Sequence, residues 1–131
     1  MSEIKPGLSA ELSVKVSEDS ATRHVSGVSV FTTPHLIGLL ERTCMAAVQP
    51  WLGEGESTVG IGINMRHLAA TPVGMTVTAK CRLEEVKRRV LVFAVEAYDE
   101  VEKVAEGTHW RAIVKPEEIA EKMRRKAGLG A

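Results

Sequence analysis

Three side chains in this sequence have the types needed to do chemistry together: the Thr33 hydroxyl, the Glu41 carboxylate and the His67 imidazole. Imidazole titrates near neutrality, which makes His67 the natural base of the set. A carboxylate can orient that imidazole, activate water or attack an electrophile itself. A threonine hydroxyl can be a nucleophile or a hydrogen-bonding group. Each also has a plainer reading. A threonine before Pro34 is an ordinary helix cap, with the proline at the first helical position. Glu41 could simply pair with a neighbouring base, and a histidine at a strand end is commonly a hydrogen-bonded loop residue. Placement favours a site, because Ile37 and Glu41 follow Thr33 one and two turns along one side of a helix. That puts an acid on the edge of an apolar stripe.

The hydropathy pattern supplies the elements that must hold these groups. Over residues 8–16 apolar positions alternate strictly with polar ones, as in a half-buried strand. Residues 17–26 are polar and aperiodic, which predicts a loop. Val25, Val28 and Val30 suggest a short extended piece leading into the helix. Thr33 is expected to cap a helix over 34–49, with Pro50 marking its end. Leu36, Leu39, Leu40, Cys44, Ala47 and Val48 form a wide stripe. With Met45 and Ala46 also apolar, the helix is predicted to be largely buried and wrapped by a sheet.

From Ser57 the period becomes two. Val59, Ile61, Ile63 and Met65 alternate with Gly60, Gly62, Asn64 and Arg66 along a strand that continues through His67 to about Ala69. After a turn at Thr71-Pro72-Val73-Gly74, strands are predicted at 75–86, 90–98 and 103–114, with turns at Lys87-Arg88-Arg89 and Asp99-Glu100. Pro116 opens a short C-terminal helix ending near Lys126, with acids in its first turn and bases in its last, as the helix dipole favours. One strand, a buried helix and four successive hairpin-linked strands predict an α+β hotdog fold. In it, about five antiparallel strands curl around a long central helix.

At 131 residues the chain is expected to form a single domain, 1–131, able to bury its own core. Basic and acidic residues number 17 each, so no global field favours nucleic acid or an anionic membrane. An aromatic content of 4% is too low for a base-stacking nucleic-acid module. Cys44 and Cys81 lie inside apolar segments, as reduced core thiols would. Together with His24, His35, His67 and His109 they show no metal-ligand spacing, so no metal is expected. Gly60-x-Gly62 sits inside a strand rather than before a helix and is no phosphate loop. The stretch Met1-Ser2-Glu3-Ile4-Lys5-Pro6-Gly7 has no apolar signal region, and no segment approaches membrane-spanning length. A cytoplasmic protein without a membrane partner is the expectation.

Taken together, Thr33-Pro34 opening the helix, Glu41 two turns in, and the strand Val59-Gly60-Ile61-Gly62-Ile63-Asn64-Met65-Arg66-His67 resemble the hotdog acyl-CoA thioesterases of the fluoroacetyl-CoA thioesterase-like family. The Pro72-Val73-Gly74 turn and Gly107-Thr108-His109-Trp110-Arg111 resemble it too, so the likeness spans roughly residues 25–114. It implies hydrolysis of an acyl-CoA thioester without a cofactor, with Thr33, Glu41 and His67 as the catalytic set. Their division of labour is left open. It also implies that Gly60 lets backbone groups approach the thioester, and that Arg111 meets a carboxylate or a CoA phosphate. The plainer readings are close helix–sheet packing for Gly60 and a solvated strand partner for Arg111.

The family's specialised enzymes carry a phenylalanine lid just upstream of the Thr-Pro. Here residues 24–29 hold no aromatic residue, so a short- or medium-chain acyl group is expected. A homodimer or higher homo-oligomer is expected because a curled sheet leaves an unpaired edge. The alternative from another class is a non-catalytic acyl-CoA-binding hotdog protein.

Overall fold

The stripe Leu36, Leu39, Leu40, Cys44, Ala47 and Val48 is buried along one face of a helix, α1, spanning Thr33–Val48 in the computed structural model. That model describes residues 3–128. Met1 and Ser2 of the N-terminal stretch and residues 129–131 of the expected domain lie outside it. Strand β1 (Ser9–Lys15) precedes a two-stranded ribbon of β2 (Ala21–Arg23) and β3 (Ser29–Phe31). After α1 come β4 (Ser57–His67), β5 (Thr76–Lys87), β6 (Val90–Tyr98), β7 (Lys103–Val114) and a C-terminal helix α2 (Pro116–Lys126). The five long strands form one antiparallel sheet in the order β1-β5-β6-β7-β4, which curls over α1 in the hotdog arrangement. Val77, Ala79, Leu83, Leu91, Phe93 and Val95 close the core from the sheet side.

The structure revises four expectations. The loop over 17–26 contains β2, whose pairing with β3 satisfies backbone groups that polar side chains alone would not have revealed. The four late strands are not all linked by hairpins, because β4 pairs with β7 and lies at the sheet's edge. The helix is buried on one face rather than all round, since Arg42, Met45 and Ala46 remain exposed. Finally, the cap is Thr32 and not Thr33. The Thr32 side chain accepts from the His35 backbone N–H at 3.1 Å, leaving Thr33 and Pro34 as the first two helical residues.

Strand β4 also departs from simple alternation. Its register against β7 slips between Gly60 and Gly62, so Ile61 is an extra, bulged residue. Before the bulge, Gly60 pairs with Arg111; after it, Ile63 pairs with His109 and His67 with Ala105. Because side chains alternate faces along a strand, the extra residue inverts the parity. Val59 and Ile61 are therefore exposed, at 39% and 55%, while Ile63 and Met65 pack on the core. The same inversion places His67 on the face that Gly60 occupies.

Candidate active site

The shift of the helix cap by one residue frees the Thr33 hydroxyl. With Thr32 holding the His35 amide, Thr33 Oγ1 lies 2.8 Å from His67 Nδ1. Thr33 comes from the first turn of α1 and His67 from the last residue of β4. They meet on a cleft of about 580 Å³ also lined by Phe31, Pro34, Leu68 and Ala69, so apolar surface flanks the polar pair. Burial lowers the His67 pKa below its ordinary 6.5, and a backbone contact at Ala69 opposes this only in part. The imidazole is thus neutral near pH 7, the form that can take up a proton.

Glu41 belongs to a second cluster, on the next part of the helix. Two turns separate it from Thr33, about 12 Å of rise along the axis. No hydrogen bond or ion pair joins it to His67 among the described residues. Its Oε2 lies 3.7 Å from Nη1 of Arg111, whose side chain is almost wholly buried where that of Glu41 is 39% exposed. Arg111 is therefore not the solvated strand partner of the plainer reading. Its Nε donates to Thr58 Oγ1 at 2.9 Å, its Nη2 to the Thr58 carbonyl at 3.0 Å, and its Nη1 to His109 Nε2 at 3.1 Å. These bonds leave the guanidinium facing the Glu41 carboxylate.

Gly60 is the point on which this cluster converges. A Cβ there would stand 2.6 Å from Glu41 Oε2 and 3.3 Å from both Arg111 Nη1 and His109 Cε1. The first distance is too short for any real contact, so only a glycine lets the carboxylate sit against the strand. Helix–sheet approach and placement of the acid are thus the same fact here.

His109 and Thr58 are the members that reading the sequence missed. In the sequence His109 figures only in the metal-ligand count and within the family-like strand of residues 107–111, with no role of its own, and Thr58 does not figure at all. A histidine two residues before an arginine on one strand face was the available signal, since alternate residues share a face. The thiols take no part in hydrogen bonding to either cluster. Cys81 Sγ donates to the Thr43 carbonyl at 3.5 Å, and the Cys81 contact together with burial pushes the Cys44 thiol far up, as befits an inert core residue.

The family model for fluoroacetyl-CoA-specific thioesterases matches residues 16–117. The fluoroacetyl-CoA thioesterase of Streptantibioticus cattleyicolor is 41% identical over 101 residues, 77% of this chain and 73% of that one. The crystal structure of a phenylalanine-to-alanine variant of the fluoroacetyl-CoA-specific thioesterase FlK superposes with a TM-score of 0.88 at 33% identity. That match covers 96% of this chain and 99% of that one. A Thermus thermophilus protein of the thioesterase superfamily also reaches 0.88, at 26% identity, over 98% and 96% of the two chains.

Proposed function

The chain belongs to the fluoroacetyl-CoA-specific thioesterase family and is a thioester hydrolase, and on that premise we propose that it cleaves a short- or medium-chain acyl-CoA to the free acid and CoA at Thr33, Glu41 and His67. The reading is carried by the 2.8 Å contact between Thr33 and a neutral His67 on the wall of the cleft. His67 accepts the proton of the attacking group, either the Thr33 hydroxyl or a water beside it, as the acyl carbon is attacked. The C–S bond then breaks and the proton passes to the departing CoA thiolate. Where Thr33 is the attacker, water hydrolyses the acyl-threonine ester in a second such step. The apolar flank takes the acyl chain. Residues 24–29 offer no aromatic cover for it, which favours a general short- or medium-chain acyl group over fluoroacetyl selectivity.

The distance between Glu41 and His67 within one chain is reconciled by a homodimer. β4 is the last strand of the sheet, so among the described residues its outer hydrogen-bonding edge has no neighbouring strand and can pair with a second copy. An antiparallel pairing of two β4 edges about the strand's own middle sets the His67 end of one against the Gly60 end of the other. A complete site then combines Thr33 and His67 with Glu41 of the partner subunit.

The alternative, a non-catalytic acyl-CoA binder, has that same intrachain separation on its side. Free-thiol release from a panel of acyl-CoAs tests the two. Turnover by the native protein is expected, lost about 10²- to 10⁴-fold in His67→Ala and strongly reduced in Glu41→Ala. Bound but unhydrolysed acyl-CoA, or undiminished turnover by both variants, would reject the assignment.

A further inference from the structure

His109 is a buried titratable group that the proposed chemistry does not use, and its hydrogen bonds fix its state. Nδ1 lies 2.8 Å from the Gly62 carbonyl, which can only accept, so Nδ1 carries the proton. Nε2 lies 3.1 Å from Arg111 Nη1, which can only donate, so Nε2 presents its lone pair. The ring is 1% exposed and stacks on Phe93, with centroids 6.5 Å apart, so it has no freedom to turn. Protonating Nε2 would aim one N–H at another, and burial reinforces the neutral form.

We propose that His109 is a positioning residue for the thioesterase reaction. By accepting from Arg111 at Nε2 while anchored to the bulged strand at Gly62, it turns the guanidinium so that Nη1 holds the Glu41 carboxylate over Gly60. The inference rests on the reading above, in which Glu41 acts in the site. It adds the chain of contacts Gly62–His109–Arg111–Glu41, through which the β-bulge fixes where the acid stands. Thr58 completes the clamp from the other side of the guanidinium, using Oγ1 and its carbonyl. Two bonds from Thr58 set the plane of Arg111, and the bond from His109 sets which way Nη1 points.

Two substitutions separate positioning from mere packing. In His109→Gln the amide oxygen reaches the place of Nε2 and can accept from Arg111. In His109→Asn the amide nitrogen replaces Nδ1, keeping the bond to Gly62 but losing the acceptor. Positioning predicts a loss of about tenfold or more in kcat for Asn, with KM little changed, and recovery of most of that loss in Gln. A role confined to pinning the bulge predicts the opposite order, and that order would overturn the proposal. Thermal melts of both variants check that each folds.

Nitrogen-15 NMR of native His109 supplies a readout independent of turnover. A neutral ring protonated at Nδ1 is expected, and an Nε2–H tautomer overturns the proposal even if the Asn variant fails to fold. If native protein turns over and Glu41→Ala does not, yet Asn matches Gln, this inference alone fails. If native protein releases no thiol from any acyl-CoA, the functional reading fails and the positioning role falls with it.

Discussion

The two ends of β4 solve different problems. At the His67 end, one contact to Thr33 holds a half-buried imidazole on an open cleft, with apolar surface on its flank. At the Gly60 end, three hydrogen bonds and an ion pair lock Arg111 between Thr58, His109 and Glu41. In the proposed reaction the first arrangement keeps the proton acceptor accessible to substrate. The second costs more to build, since a buried cation must have every donor answered, and in return it holds one carboxylate in one place. Reactivity and preorganisation are thus divided along a single strand, with a bulge between them to keep both on one face.

The sharpest way to break this contrast is to fill the space over Gly60. In Gly60→Ala the new methyl would stand 2.6 Å from Glu41 Oε2, so the flexible carboxylate must swing aside while the backbone stays. Misplacing a reacting group by about 1 Å can cost on the order of 100-fold, so if Glu41 acts as proposed a loss of that size in kcat/KM is expected, with a nearly unchanged melting temperature. A rate equal to that of the native protein would mean that the carboxylate's position does not matter. Such a result would remove the distinction between the two ends.

The His67 end is sharpened by pH. Burial holds the His67 pKa below 6.5, so the neutral form that the proposed reaction needs persists until the pH drops through that lowered value. The acid limb of kcat/KM should therefore lie below 6.5, and a limb above it would show that another group controls the rate. Stability carries the same sign. The unfolded chain takes up protons near 6.5 before folded His67 or His109 does, so stability is full above 6.5 and falls as pH drops toward the folded values. Urea titrations at pH 7.5 and 5.5 should give a lower midpoint at the acid pH, with a smaller difference in His109→Gln.

The smallest effect is expected on the face of β4 that serves neither end. Arg66 bonds Glu106 at 3.1 Å, but the two side chains are 76% and 37% exposed. Removing the pair in Arg66→Ala should change stability by less than about 1 kcal/mol in urea titrations and leave thiol release unaltered. A larger change would mean that the strand's two faces are not energetically separate.

The long elements were legible in the sequence, because periodicity reports burial directly, whereas the three-residue β2 was too short to show any period. The apolar stripe of α1 and the alternation in β5, β6 and β7 gave their extents to within a residue or two, and hence the curled sheet around a helix. Thr33, Glu41 and His67 stood out by type and spacing, whereas Gly60 and Arg111 were implied only by the resemblance to the thioesterase family. How these residues associate depends on contacts between distant segments. The cap moved from Thr33 to Thr32 because either hydroxyl suits that role locally, and it is the proximity of His67 that uses the one left over. The bulge at Ile61 left no mark in an alternating run of residues, yet it chose the face on which His67 lies. Arg111 was drawn inward by Thr58, more than fifty positions away in sequence, and by a histidine whose neutral ring answers its third donor. Hydrogen bonds between distant segments have no period, so only the folded chain brings their partners into view.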